Sequence, residues 1–322
     1  MSNTVKIRVP SRLHLGFLDP SGDAGGRFGS IGLPLGEPET AVTLSRAGET
    51  SVTGPDSDRA GRHLATLCDH LGIRARHRLV VEEAIPSHAG LGSGTQIALA
   101  VAAALRTLHG LPLDPGADAL LLSRGNRSGI GIASFSDGGV IIDAGKGPDG
   151  GPPPVIARIP FPDEWRVILV LDKGHEGLHG DDEIEAFRRL PPFPREGVGE
   201  ICAQVVMGVM PGLIQQDFHA FASAISAIQQ MVGAHFAPAQ GGAFTSRRVD
   251  ALVHGLADAG VAGLGQSSWG PTGFAFAPSE EAALAFLEAI EDKLVPETEV
   301  RIVRGRNFGA KIAENHLDMV GS

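Results

Sequence analysis

The segment PSHAGLGSGTQIALA, Pro86–Ala100, places a glycine-rich turn directly before an unbroken apolar run. The first N–H groups of a helix have no partners within the helix, and the helix dipole adds positive charge at that end. Glycines let the backbone of such a turn approach phosphate oxygens closely. The segment therefore predicts a phosphate-binding loop over 86–96, with these binding residues: Gly90, Leu91, Gly92, Ser93, Gly94, Thr95 and Gln96.

This loop matches neither of two widespread phosphate-binding patterns. The Walker pattern GxxxxGK[ST] needs a lysine that is absent here, and the dinucleotide pattern GxGxxG is also absent. A tight strand-to-helix turn without a ligand is the alternative interpretation. The loop by itself leaves both interpretations open.

Composition limits the class of protein. The 322 residues, 43% of them hydrophobic, are enough for two domains with sizeable cores. A net charge of −10 argues against nucleic-acid binding, so an anionic ligand needs a local site. Two cysteines far apart predict neither a disulfide framework nor a zinc site. The start of the chain has no apolar signal segment, and no apolar run approaches the roughly 20 residues that span a bilayer. We expect a soluble cytoplasmic protein.

Hydrophobic periodicity predicts an α+β protein. A strand over Arg78–Ile85 precedes the loop, and a helix from Thr95 to His109 follows it. The run GKGPDGGPPP, Gly145–Pro154, cannot form a regular element and predicts a linker. We therefore divide the chain into domains 1–160 and 161–322. In the second domain, helices are predicted over Asp182–Arg189 and over Asp217–His235, whose apolar stripe indicates ordinary core or dimer surface.

Two further motifs give the loop a context. PSRLHLGF, Pro10–Phe17, and GLGQSSWGPTGFAF, Gly263–Phe276, stand on either side of it along the chain. The three motifs in this order resemble those of the GHMP superfamily, which includes galactokinase, homoserine kinase, mevalonate kinase and phosphomevalonate kinase. The resemblance implies an N-terminal lobe with a mixed sheet and a left-handed βαβ crossover, against the usual hand. It also implies a ferredoxin-like C-terminal lobe, with the active site between the lobes.

One position argues against kinase activity. Many of these kinases carry SGxDxxxxxxGG, whose aspartate acts on the acceptor hydroxyl. This chain has SGIGIASFSDGG, Ser128–Gly139, with Gly131 in place of that aspartate. Glycine can neither accept a proton nor orient a hydroxyl. Asp137, six residues later, is not expected to replace the missing carboxylate.

The detailed sequence resembles one non-kinase family of the superfamily. SRLHLGFLDPSGDAGGRFGSIGLPL (Ser11–Leu35), RGNRSGIGIASF (Arg124–Phe135) and GQSSWGPTGF (Gly265–Phe274) look like the β-ribofuranosylaminobenzene 5′-phosphate synthases. The resemblance implies condensation of phosphoribosyl pyrophosphate with 4-aminobenzoate or 4-hydroxybenzoate, with loss of CO₂ and pyrophosphate, in tetrahydromethanopterin biosynthesis. It further implies Mg²⁺ arriving with the pyrophosphate, a homodimer, and no pyridoxal phosphate, nicotinamide or flavin.

With the loop assigned to the pyrophosphate, arginines are the candidate partners of the 5′-phosphate and of the benzoate carboxylate, since they bind both groups in a bidentate manner. Arg12 alternates with His14 within a predicted strand, so both face the same side. Arg27 lies in the glycine-rich loop after that strand, and Arg124 precedes the turn that contains Ser128. Any one of these arginines could instead be a solvated surface charge.

The catalytic base is left open among several residues. His14, Asp19, His175 and His179 are candidates, and His14 could equally be a satisfied core histidine. The last two belong to KGHEGLHGDDE, Lys173–Glu183, which could be a lid or a metal site but more simply caps the next helix. The metal ligands are not identified.

The C-terminal motif contributes the remaining substrate-binding candidates. Trp269 could stack on the benzoate ring, or it could be an indole in the lobe interface. Alternative functions are an ATP-dependent small-molecule kinase and a non-catalytic ligand-binding protein on a degenerate kinase fold. The candidates in this motif are Gln266, Ser267, Ser268 and Trp269.

Overall fold

The chain folds into two lobes that share an interface, as a computed structural model shows. The strands, numbered in chain order, are β1 Thr4–Phe17, β2 Ser30–Ala47, β3 Ser51–Thr53, β4 Arg76–Glu83, β5 Val140–Asp143, β6 Val155–Ile159, β7 Arg166–Asp172, β8 Gly265–Gln266, β9 Gly273–Ala277, β10 Thr298–Val303 and β11 Lys311–Asn315. The structure describes residues 3–21, 28–125, 128–146, 150–177, 185 and 189–315.

Helices cover these sheets. A π-helical segment, Val205–Val209, joins two of the helices, and a 3₁₀ turn, Glu291–Lys293, precedes β10. The α-helices are α1 Ser57–His70, α2 Ser93–Leu108, α3 Pro115–Leu121, α4 Ile130–Ser136, α5 Arg195–Gln204, α6 Met210–Gln215, α7 Phe218–Gln240, α8 Arg247–Asp258 and α9 Glu280–Glu288.

The N-terminal lobe contains the predicted mixed sheet. Its strand order is β11-β1-β2-β4-β3, and β5 pairs with β2 and β6 with β5. Only the β3–β4 pair is parallel among the described pairs of this sheet, and α1 connects its two strands. The left hand of this crossover stays a prediction. Helix α2 packs along β1 and β2 with a nearly continuous buried surface, which brings its N-terminus to the lobe interface.

The C-terminal lobe confirms the ferredoxin-like prediction. Its antiparallel sheet has the order β10-β7-β9-β8, which is strand order 4-1-3-2 when counted within the lobe. Helix α7 carries the predicted apolar stripe, and Phe221, Ile225, Ile228 and Val232 are buried core residues. This helix lies so close to β1 that a Cβ at Gly16 would come within 2.8 Å of Ile228 Cγ2.

Two features of the domain division were wrong. The run Gly145–Pro154 is not an interdomain linker, because it connects β5 to β6 and these strands pair in one sheet. The end of the chain is not confined to the second lobe, since β11 returns to pair with β1 over Thr4–Arg8. Sequence patterns identify strands, but the partner of an edge strand is chosen by tertiary contact.

The helical stretch Arg195–Gln215 is the one part of the described chain long and apolar enough to cross a membrane by length and composition. Those criteria do not separate a spanning helix from a core helix. Its inner face, with Ile201, Val205, Val209 and Leu213, belongs to the main hydrophobic core. The predicted helix Asp182–Arg189 lies largely outside the described residues.

Candidate active site

The glycine-rich loop has the backbone conformation that its sequence predicts. Gly90 and Gly92 have φ angles of 78° and 81°, in the region that glycine adopts readily. Gly92 immediately precedes α2, which begins at Ser93. A Cβ at Gly90 would lie 2.3 Å from the Ser267 carbonyl oxygen, so close packing also requires glycine there. The first turn of α2 is thereby fixed beside the C-terminal motif.

Hydrogen bonds connect the three sequence motifs at one point, the carbonyl oxygen of Gly90. Arg12 Nη1 donates to this oxygen at 2.7 Å and Ser267 Oγ donates to it at 2.8 Å. The Ser267 hydroxyl in turn accepts from the backbone N–H of His14 at 3.0 Å. The backbone N–H of Arg12 donates a further hydrogen bond, to the Leu91 carbonyl oxygen at 3.0 Å. The motifs are therefore one structural unit.

Three arginine side chains surround the accessible N-terminus of α2. A Cβ at Gly92 would lie 3.1 Å from Arg12 Cγ. A Cβ at Gly94 would lie 3.0 Å from Arg124 Nη1 and 3.6 Å from Arg59 Nη1. The structure thus places Arg12 and Arg124 at the loop itself, although the sequence analysis assigned them to the 5′-phosphate and the benzoate carboxylate, and it adds Arg59 of α1. The sequence analysis did not identify Arg59, because this residue lies in none of the three motifs.

The charges of these arginines change the pKa values of their neighbours. Burial, followed by the positive charge of Arg59, lowers the pKa of Arg124. Burial and the charges of Arg124, Arg59 and Arg62 lower the pKa of His63 to about 4. Both effects indicate a strongly positive potential at this end of α2. Such a potential favours an anionic ligand.

Gly131 packs closely against the first turn of α2. Its carbonyl oxygen accepts a hydrogen bond from Gln96 Nε2 at 2.8 Å. A Cβ there would lie 2.9 Å from Thr95 Cγ2, so a side chain at this position would require the Thr95 side chain to shift. Asp137 is exposed at the far end of α4.

His14 is a buried, neutral imidazole. Burial and the charge of Arg12 lower its pKa to about 3. Its ring lies 4.4 Å from that of Phe17, measured between centroids, and its Nε2 has no hydrogen-bond partner among the described residues. A base with so low a pKa is weak at neutral pH. The geometry therefore suits a hydrogen-bonding role better than proton abstraction.

The turn before α4 is fixed by a carboxylate that the sequence analysis did not identify. Asp143, at the end of β5, accepts from the backbone N–H of Gly129 at 2.9 Å and of Gly145 at 2.7 Å. Ser128 Oγ donates to the same carboxylate at 3.4 Å. Burial raises the pKa of Asp143 to about 6, against the opposing effect of these hydrogen bonds. Ser128 thus has a structural partner within the protein.

Most polar groups of the C-terminal motif are used internally. Gln266 Oε1 accepts from the Thr245 backbone N–H at 2.7 Å, and its Nε2 donates to Gln240 Oε1 at 3.2 Å. Ser268 is half-buried and has a φ of 56°. Trp269 is buried, with its ring 4.7 Å from that of Phe236. These contacts place Gln266 and Trp269 in the structural support of the site.

The remaining candidates are distributed around this centre. Burial lowers the pKa of His235, and the charge of the buried Asp19 opposes this shift in part. His175 is exposed, two residues before Gly177, whose N–H donates to the His88 carbonyl at 3.1 Å. Two predicted residues lie outside the described part of the chain, Arg27 and His179.

The described residues provide no group of three or more His, Cys, Asp or Glu side chains that could hold a metal ion. Asp56 is an acidic residue beside the arginines at the start of α2, and its Oδ1 lies 3.4 Å from Arg59 Nε.

Comparisons with known proteins agree with the fold and the loop. The family of GHMP kinases N terminal domains matches residues 59–139, and that of GHMP kinases C terminal domains matches residues 209–296. Homoserine kinase from Cytophaga hutchinsonii has a TM-score of 0.69 at 19% identity, covering 97% of this chain and 98% of its own. Mevalonate diphosphate decarboxylase from Staphylococcus aureus has a TM-score of 0.68 at 16% identity, covering 98% and 99%. The class defined by fold and loop is thus the GHMP superfamily.

Curated relatives narrow the class. β-Ribofuranosylphenol 5′-phosphate synthase of Methanothermobacter thermautotrophicus is 30% identical over 94% of this chain and 97% of its own length. The synthase of the same name from Archaeoglobus fulgidus is 31% identical over 96% and 99%. The chain belongs to this family of synthases within the GHMP superfamily, and it is an enzyme.

Proposed function

We propose that this enzyme condenses phosphoribosyl pyrophosphate with a 4-substituted benzoate and releases CO₂ and pyrophosphate. The observation that carries the proposal is an accessible, arginine-lined loop beside Gly131, which has no side chain where the kinases of the superfamily carry an aspartate. The relatives are named for a ribofuranosylphenol product. We therefore propose 4-hydroxybenzoate as the first acceptor to test and 4-aminobenzoate as the second.

The reaction balances without a redox cofactor. The bond between ribose C1 and the pyrophosphate oxygen breaks, and its electron pair leaves with the pyrophosphate. The ring carbon that bears the carboxylate forms a bond to C1. The bond from that carbon to the carboxylate then breaks, its electron pair returns to the ring, and CO₂ leaves.

The site residues suit the first of these steps. Negative charge increases on the leaving pyrophosphate, so groups that bind this charge accelerate its departure. In our proposal, the first N–H groups of α2 and the guanidinium of Arg12 bind the pyrophosphate. The bond from Arg12 to the Gly90 carbonyl holds that guanidinium in place before substrate arrives. His14 is a positioning residue in this scheme, since its pKa of about 3 makes it a poor base.

Several further properties belong to the proposal. We propose that Mg²⁺ enters bound to the pyrophosphate, with phosphate oxygens and water as its main ligands. The metal would neutralise charge on the leaving group. We also propose a cytoplasmic homodimer that acts in tetrahydromethanopterin biosynthesis, with no nucleic-acid or membrane partner.

The direct test follows labelled carbon. The enzyme is incubated with Mg²⁺, phosphoribosyl pyrophosphate and carboxyl-labelled 4-hydroxybenzoate, and released CO₂ is measured. Controls omit phosphoribosyl pyrophosphate, replace it with ATP, or omit Mg²⁺. We expect labelled gas only in the complete mixture. No gas with either benzoate, together with ATP consumption in the presence of small alcohols, would instead identify a kinase.

A further inference from the structure

We propose that Arg59 and Arg124 form a second phosphoryl subsite at Gly94, so that the loop holds both phosphoryl groups of the leaving pyrophosphate. The first group lies at Gly92 beside Arg12, and the second lies one half-turn further along the start of α2. This inference rests on the proposed function for the identity of the ligand. It adds Arg59, a residue in none of the three sequence motifs.

The geometry separates two positions on the loop. Arg12 packs against Gly92 and donates to the Gly90 carbonyl, on the β1 side. Arg124 Nη1 and Arg59 Nη1 approach Gly94 on the α1 side. Gly92, Gly94 and the arginines all retain solvent exposure, so a ligand can reach both positions.

The charges on the α1 side are not balanced within the described chain. Asp56 pairs with Arg59 at 3.4 Å, and Arg59 Nη2 also donates to Ser87 Oγ at 3.4 Å. Arg124 has no acidic partner within salt-bridge distance among the described residues, and its buried Nε has no hydrogen-bond partner there. His63, 8% exposed, is close enough for the charges of both arginines to lower its pKa, and its buried Nε2 has no hydrogen-bond partner among the described residues. A second anion would supply the missing partner.

The chemistry gives this subsite a role. When the C1–O bond breaks, the new negative charge is shared over both phosphoryl groups of the pyrophosphate. A subsite that binds the group farther from C1 takes up part of that charge without contacting the ribose. Asp56 holds Arg59 in position and thus prepares the subsite for the ligand.

The experiment measures binding of inorganic pyrophosphate, inorganic phosphate and ribose 5-phosphate by calorimetry, without turnover. Arg59→Ala and Arg124→Ala are expected to weaken pyrophosphate binding at least 10-fold and phosphate binding less than threefold. The matched control is the exposed Arg74→Ala, beyond the far end of the same helix, with an expected change below twofold. Arg59→Lys should recover part of the affinity, because it retains the charge but not the bidentate geometry. Thermal melts verify that each variant folds.

Two results would overturn the subsite. One is pyrophosphate affinity that is unchanged in both alanine variants. The other is a selective loss of ribose 5-phosphate binding, which would assign these arginines to the 5′-phosphate. The labelled-CO₂ assay on the unmodified enzyme is read separately. Failure of that assay together with the expected pyrophosphate pattern would reject the proposed reaction but retain the subsite.

Discussion

The start of α2 and the turn Gln266–Trp269 are both polar motifs at the lobe interface, yet they serve different purposes. At α2, cationic groups converge on an accessible backbone, and Arg124 has no acidic partner among the described residues. In the turn, Gln266 and Ser267 use their hydrogen-bonding atoms within the protein, and Trp269 is buried. The comparison shows that a polar motif is a candidate ligand site when its polar groups lack partners within the protein. A high content of polar residues is not sufficient.

The largest effect is expected for Arg12→Ala, beside the start of α2, where we propose that the ligand binds. Loss of a charged contact to the leaving group should lower kcat/KM for labelled CO₂ release by about 100- to 1,000-fold. The control is Lys6→Ala on the same strand, which removes only a surface ion pair with Glu82. Activity of the Arg12 variant within about twofold of the original would remove Arg12 from the site.

Ser267→Ala tests the structural role that we assign to the turn Gln266–Trp269. Its hydroxyl bridges the His14 N–H and the Gly90 carbonyl in a fully buried position. Its loss should lower the free energy of unfolding by about 1–3 kcal/mol in urea denaturation. The exposed Ser136→Ala should change it by less than about 0.5 kcal/mol. An unchanged stability with abolished activity would mean that Ser267 contacts substrate instead.

The pH dependence of stability reports the burial of His14. The folded-state pKa of about 3 lies below the ordinary 6.5, so the unfolded chain binds more protons between these values. Stability is therefore lost as the pH falls below 6.5. His14→Gln should reduce this slope by up to about 1.4 kcal/mol per pH unit, measured by urea denaturation from pH 6 to 4. Exposed His219→Gln is the control, and equal slopes in both variants would contradict the burial argument.

The smallest effect is expected at Ser268, where φ is 56°. Glycine adopts this conformation without the cost that serine incurs, although it loses more backbone entropy on folding. Ser268→Gly should leave the free energy of unfolding unchanged or raise it by up to about 1 kcal/mol. Ser268→Val should lower it. A large fall in activity of the glycine variant, at unchanged stability, would show that the hydroxyl binds a ligand.

Much of the fold could be predicted because its signals are local. The glycines before α2 and the apolar run within it specify a strand–turn–helix unit wherever it is placed in a protein. The stripe of α7 and the strand β7 are likewise visible as periodic apolar residues. The pairing of β11 with β1 and the β5–β6 hairpin could not be predicted, because short strands carry little information about their partners.

The site was predicted in part for the same reason. Arg12 and Arg124 belong to motifs, and the structure places both beside the loop. Arg59 and Asp143 belong to no motif, and only the packing of α1 and β5 brings them to the loop and to its neighbouring turn. Gln266 shows the opposite error, since a polar residue in a motif turned out to bond within its own lobe.

The amino-acid sequence by itself determined the glycine-rich loop before α2, the two-lobed α+β class and the absence of the kinase carboxylate at Gly131, because each depends on residues close together in the chain. Only the tertiary structure decided which cations surround the loop and which polar groups are satisfied. Both depend on contacts between residues far apart in sequence: Arg59 with Gly94, and Ser267 with Gly90. The physical reason is that backbone conformation is set locally, whereas charge balance and hydrogen-bond satisfaction are set by packing.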